Sequence, residues 1–192
     1  MKSLVFATNN AHKVSEVQKI LQNQFEILTL KSIAWTEDIP EPFDTLEENA
    51  RTKSQTILEA KNVDCFSEDS GLFINGLNGE PGVYSARYAG ENASDQDNIN
   101  KVLKALEEVD DSSAYFKTIV SLQYQGEHHF FSGVCKGKII NEMRGENGFG
   151  YDPIFVPNGY EKTFAELSAD IKNTISHRKK ATEKLRDFLL KL

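Results

Sequence analysis

The 192-residue chain carries 22 basic and 29 acidic side chains, a formal net charge of −7, and is 39% hydrophobic. A chain of this length buries about 70% of its unfolded surface, so it needs no covalent or metal staple; its composition excludes a disordered tail, a collagen-like repeat and a coiled-coil rod. Its acidity argues against general nucleic-acid binding, which rests on neutralising phosphates. No apolar run approaches the roughly 20 residues of a membrane-spanning helix, and Leu4-Val5-Phe6-Ala7 is too short for a signal-peptide core. The expectation is a cytoplasmic protein that binds neither nucleic acid nor membrane. Cys65 and Cys135 sit in apolar stretches without metal-ligand spacing, and read as buried free thiols.

In chain order, Ser3–Ala7 reads as a buried strand, and Asn10 as the cap of a helix with Val14, Val17, Ile20 and Leu21 at helical spacing. Phe25–Leu30 reads as a second strand. After an acidic loop, Thr45-Leu46-Glu47-Glu48 has the pattern of a capping box for a helix to about Lys61. Val63–Phe66 reads as a short strand ending at Ser67-Glu68-Asp69-Ser70-Gly71. Ser94 opens a helix whose apolar face is Ile99, Val102, Leu103 and Leu106. Tyr115–Tyr124 and His128–Cys135 read as a hairpin. Ser176 is expected to cap a last helix with Ala181, Leu185, Phe188, Leu189 and Leu192 on its apolar face. No repeat or linker interrupts the chain, so one domain over 1–192 is expected, a mixed α/β sheet covered by helices.

Four segments carry candidate chemistry. Thr8-Asn9-Asn10-Ala11-His12-Lys13 follows a strand and opens a helix, where backbone N–H groups favour an anion; a capped helix with a solvated Lys is the plainer alternative. From Lys172 onward there are seven basic and two acidic residues, with several cations at a helix start, the unfavourable end of the dipole; a bound phosphate or simple solvation each answers that. Glu41, Glu47, Glu48, Glu68 and Asp69 offer oxygen ligands suited to Mg²⁺, although Glu47 and Glu48 also suit helix capping. Gly145–Pro153 contains three glycines with Phe149, Tyr151 and Asp152, which offer close backbone approach, flat rings and edge acceptors for a base. A surface turn anchored by its aromatics is the alternative. Phosphate cradles, a metal site and an aromatic slot together describe a nucleotide site.

These residues resemble the inosine triphosphate pyrophosphatase family, nearly end to end. The landmarks are Ala7–Lys13; Glu41, Thr45, Glu48-Asn49-Ala50 and Lys53; Glu68-Asp69-Ser70-Gly71-Leu72; Pro81–Gly90; Gly148–Pro153; and Lys172-Asn173 with Ser176-His177-Arg178. The resemblance implies an elongated mixed sheet flanked by helices, with two lobes and a central cleft, usually in a homodimer. It also implies Mg²⁺-dependent hydrolysis of dITP, ITP and XTP to the monophosphate and pyrophosphate, which removes deaminated purines from the nucleotide pool.

Residue by residue, the resemblance puts the phosphate loop on Thr8, Asn9, Asn10, Ala11, His12 and Lys13, and the metal on Glu41 and Asp69, with Asp69 also the base. Lys53 and Ser70 line the phosphate path. Phe149 stacks on the purine, Gly150, Tyr151 and Asp152 complete the base pocket, and Lys172, His177 and Arg178 contact substrate. The chain departs from the family pattern at His12, where Gly is common, at Glu68, where Asp is common, and at Pro42-Phe43, where Thr-Gly is common.

Overall fold

A computed structural model describes residues 2–21 and 24–192. Its strands are β1 (Lys2–Phe6), β2 (Phe25–Thr29), β3 (Cys65–Ile74), β4 (Pro81–Gly82), β5 (Ser113–Tyr124), β6 (Glu127–Ile139) and β7 (Phe155–Pro157). Its helices are α1 (Ala11–Ile20), α2 (Leu46–Lys61), α3 (Asp95–Ala105), α4 (Ala169–Ile175) and α5 (His177–Leu189). The strands form one sheet in the order β2-β1-β3-β5-β6-β7, with β4 paired to β3. The β1–β2 and β1–β3 pairs are parallel, while β3–β4 and β6–β7 are antiparallel. This is the mixed α/β architecture expected.

The chain divides into two compact units. One comprises residues 1–69, 118–133 and 178–192, the other 70–117 and 134–177. In the first, Leu4, Phe6, Val17, Leu21, Phe66, Ala181, Leu185 and Leu189 form one core, with Phe6 and Phe66 stacked at 4.5 Å. A smaller core, with Val5, Ala7, Ile57 and Cys65, lies beneath α2. In the second, Leu72, Ile74, Ile99, Val102, Phe116, Tyr151, Phe155 and Phe164 pack together.

Local chemistry explains the element ends. Asn10 accepts a hydrogen bond from the Lys13 N–H and caps α1. Thr45 does the same for Glu48 at the start of α2, and Ser94 and Asp97 make a reciprocal capping box at α3. The β5–β6 turn has positive φ at both Gln125 and Gly126, the backbone of a tight two-residue hairpin. Both thiols are buried. Burial, with the Asp64 charge beside it, pushes the Cys65 thiol up to about 12, so it is inert as a nucleophile.

Three expectations need correction. The strand expected to end at Phe66 continues through Ser67-Glu68-Asp69-Ser70-Gly71 to Ile74. Ser67 finds a backbone acceptor and Glu68 and Asp69 find charged side chains, and Gly71 lies so close to the Gly82 carbonyl that a Cβ there would overlap it, which lets β4 pair with the strand's far end. Ser176, extended, stands directly before α5, the cap position expected of it, but it also ends a helix that was not expected: Lys172 and Asn173 belong to a separate short helix, α4, capped by Ser168. Leu192 lies beyond α5 and is exposed; it is no part of that helix's apolar face.

Candidate active site

β3 carries two of the candidate carboxylates, Glu68 and Asp69. Side chains alternate across a strand, and here the alternation divides Ser67-Glu68-Asp69 between two surroundings. Cys65, Ser67 and Asp69 face α2. The Cys65 thiol lies 3.1 Å from the Ser54 carbonyl, the Ser67 hydroxyl donates to the Ala50 carbonyl, and Asp69 lies 3.8 Å from the Lys53 ammonium. Phe66 and Glu68 face the other way. Phe66 joins the core beneath α5, and Glu68 meets Arg178 of α5 and Lys13 of α1.

Glu68 and Arg178 are a buried pair, 0% and 2% exposed. The Arg178 Nε donates to both Glu68 oxygens at 2.8 and 2.9 Å, and Nη2 lies 2.8 Å from Oε1. Nη1 donates to Glu16, and the Lys13 ammonium stands 3.3 Å from Glu68. Burial alone would raise the Glu68 carboxyl, but the Arg178 and then the Lys13 charges outweigh it and hold the group below the usual carboxylate range. For Arg178 burial works against the charge, and Glu68 and Glu16 reverse it. The basic run at the start of α5 is thus answered in part by carboxylates of the chain itself; Lys179 likewise pairs with Glu183 at 2.9 Å.

On the α2 side, the Lys53 ammonium bridges two carboxylates, Asp69 on β3 and Glu41 in the loop before α2. Both are hard oxygen donors. No group of three or more His, Cys, Asp or Glu able to hold a metal occurs among the described residues. That donor set fits Mg²⁺, which is commonly bound by one or two carboxylates with the remaining positions taken by water and substrate phosphates. Glu68 belongs to the opposite face and is committed to Arg178 and Lys13.

The Thr8–Lys13 segment is tied down locally. The Thr8 hydroxyl accepts from the Asn10 N–H, the Asn9 amide donates to Asp38 at 2.9 Å, and His12 is exposed on the first turn of α1.

The second unit carries the proposed base residues. Asp152 is buried, and its Oδ2 accepts from the Phe149 N–H at 3.0 Å and the Lys172 ammonium at 2.6 Å. The ammonium stands 5.0 Å from the Phe149 ring centre. Gly148, with φ +83°, runs so close to this carboxylate that a Cβ would collide with Oδ2. Gly150 donates its N–H to Asp95 at 2.6 Å. The Tyr151 ring is in the core and its hydroxyl donates to the Ser85 carbonyl, so it anchors the loop and offers no flat face. His177 is buried and stacks on Phe116 at 4.7 Å, while Ser70 is half-buried on β3. Lys172, read from its charge as a phosphate contact, is grouped with Phe149 and Asp152.

The sequence assigns no functional role to Glu16, Asn49, Ser67 or Asp95, although Asn49 and Ser67 lie in segments it singles out. Glu16 stands three residues after Lys13 on one helix face, a spacing that pairs it with the basic residues assigned there. Asp95 directly follows the Ser94 cap and reads from sequence as a helix-start acid only.

The model of the Ham1 family matches residues 4–188. A dITP/XTP pyrophosphatase of Flavobacterium johnsoniae is 51% identical, with 97% of each chain covered. The Ham1 protein structure from Staphylococcus aureus superposes with a TM-score of 0.89 at 41% identity over 98% of each chain. A HAM1 protein structure from Coxiella burnetii gives 0.92 at 38% identity over the whole of both.

Glu68→Gln is expected to destabilise the fold by about 3–5 kcal/mol at neutral pH, since it leaves Arg178 buried without its main partner. Because the folded-state carboxyl lies below its unfolded value, its contribution is complete above the unfolded pKa of about 4.3. It is lost as pH falls through the folded value. Urea unfolding followed from pH 7 downward measures both: the variant starts less stable and loses less on acidification than the wild type.

Proposed function

The chain belongs to the Ham1 family, and from that premise we propose that it hydrolyses non-standard purine nucleoside triphosphates, dITP, ITP and XTP, to the monophosphate and pyrophosphate. The observation that carries this reading is the pair Asp69 and Glu41 about one ammonium, with a capped helix start at Asn10–Lys13 in the same unit. That is the chemistry of a triphosphate bound with a divalent cation. Glu41 and Asp69 are the residues that would hold Mg²⁺, which when bound polarises phosphoryl oxygens and lowers the pKa of water.

The chain's own groups do the rest. The N-terminal turn of α1 and the Lys13 ammonium bind phosphate oxygens, and Lys53 answers charge that grows on the leaving pyrophosphate. Asp69 orients the attacking water and takes its proton. Arg178, committed to Glu68 and Glu16, acts as a positioning residue that fixes β3 against α5. The resemblance assigns His177, Ser70 and His12 to substrate contact as well. By the same resemblance the enzyme works as a homodimer on the cytoplasmic nucleotide pool. No helix among the described residues is long and apolar enough to cross a membrane.

Base preference follows from Lys172. Its ammonium has only donors and stands 5.0 Å from the centre of the Phe149 ring, on which a purine would stack. A 6-oxo group accepts from it. The 6-amino group of adenine presents a donor to a donor, at a cost of about 1–3 kcal/mol for a buried unmet group.

Incubation with Mg²⁺ and a panel of triphosphates, with products separated by ion exchange, tests the reading. Monophosphate and pyrophosphate from dITP and XTP, with ATP nearly untouched, is the expected result; orthophosphate release, or equal turnover of ATP, contradicts it. Lys172→Met is expected to lower kcat/KM for dITP about tenfold or more, by the cost of one lost buried hydrogen bond. ATP turnover should change little, so that the dITP/ATP ratio falls; a uniform loss on both would assign Lys172 to phosphate.

A further inference from the structure

Asn49 is a fully buried amide on α2. Its Oδ1 accepts from the Phe43 N–H at 2.9 Å, and its Nδ2 donates to the Phe43 carbonyl at 3.0 Å. The side chain thus pairs with one backbone residue as a neighbouring strand would, satisfying its donor and its acceptor together. Phe43 lies two residues after Glu41, in a loop with no regular structure of its own. Lys53, which pairs with Glu41, lies four residues after Asn49, on the same face of α2 and one turn on. A single helix face therefore grips the 41–43 segment at two points, by the Asn49 amide and by the Lys53 ammonium.

The two grips differ in kind. The Lys53 contact is an ion pair, made to the carboxylate that a divalent cation would also use, so the two compete for the same oxygens. The Asn49 contact is to backbone and involves no ligand atom; it persists whatever Glu41 binds. We propose that Asn49 is a positioning residue for Glu41: it holds the loop so that the Glu41 carboxylate stays beside Asp69 when a divalent cation takes the place of Lys53. The proposal rests on Glu41 and Asp69 being the cation-binding pair. It also accounts for Pro42-Phe43 in place of smaller residues, because the contact uses only the Phe43 backbone and leaves its side chain exposed.

The test uses Mn²⁺ as the probe, bound to the full chain without nucleotide and measured by electron paramagnetic resonance. Asn49→Leu removes both hydrogen bonds at similar volume and keeps good helix propensity; Ile57→Val, in the core beneath the same helix, serves as a destabilised control. Asn49→Leu is expected to weaken Mn²⁺ binding about tenfold, the scale of one lost buried hydrogen bond, and to speed hydrogen exchange at the Phe43 amide. The Mg²⁺ concentration for half-maximal dITP hydrolysis should rise by a similar factor, while Ile57→Val lowers the melting temperature and leaves Mn²⁺ affinity unchanged. If Asn49→Leu does not fold, Asn49→Ala carries the same measurements. Unchanged Mn²⁺ affinity in the Asn49 variant, or an equal loss in Ile57→Val, overturns the positioning role while leaving the cation pair intact. A wild-type protein that binds no Mn²⁺ overturns the cation pair itself, and the proposal with it.

Discussion

The two-residue period of β3 is the constraint on which the rest depends. Glu68 and Asp69 are neighbours in sequence, yet one strand step sends them to opposite faces. Glu68 meets two cations from two helices and is sealed from solvent. Asp69 meets the Lys53 ammonium, which it shares with Glu41. A slip of one residue in β3 would exchange the two roles. The strand's register is in turn held by contacts of no chemical use, the Ser67 hydroxyl on the Ala50 carbonyl and the stacked rings of Phe6 and Phe66.

A buried ion pair contributes little net stability, because desolvation consumes most of the attraction. What Glu68 and Arg178 supply is location. Once both are buried, neither can move without leaving the other uncompensated, so α5, α1 and β3 are locked in one arrangement. The loop in the second unit uses the same device on a smaller scale. Asp152 receives both the Phe149 N–H and the Lys172 ammonium, and a side chain at Gly148 would displace it. The Phe149 backbone and the Lys172 ammonium are thereby held by one buried acceptor, the Asp152 carboxylate.

Much of this was legible in the residues. The caps at Asn10, Thr45 and Ser94 act through their own local backbone, and each stands where it was read. The hairpin and the apolar face of α5 from Ala181 to Leu189 also follow from periodicity. What failed were features decided by distant partners. Ser67–Gly71 looks like a turn because its residues are polar, and only Ala50, Arg178 and Lys53, far along the chain, make a buried strand of it. Lys172 and Arg178 look like one basic cluster, but the break at Ser176 sends one to Asp152 and the other to Glu68. Asn49 stands among the landmarks of the resemblance, but its role carries no sequence signal, since its partner is backbone.

The division of labour along β3 has one direct test, Asp69→Asn assayed for dITP turnover and urea stability in the same preparation. The substitution is nearly isosteric and removes the charge that would hold a metal and the lone pair needed to take a proton. Loss of turnover by a factor of about a hundred or more, with unfolding free energy within about 1 kcal/mol of wild type, is the predicted result. Near-normal turnover in the folded variant would show that Asp69 is not the group that acts on water, and would contradict the account.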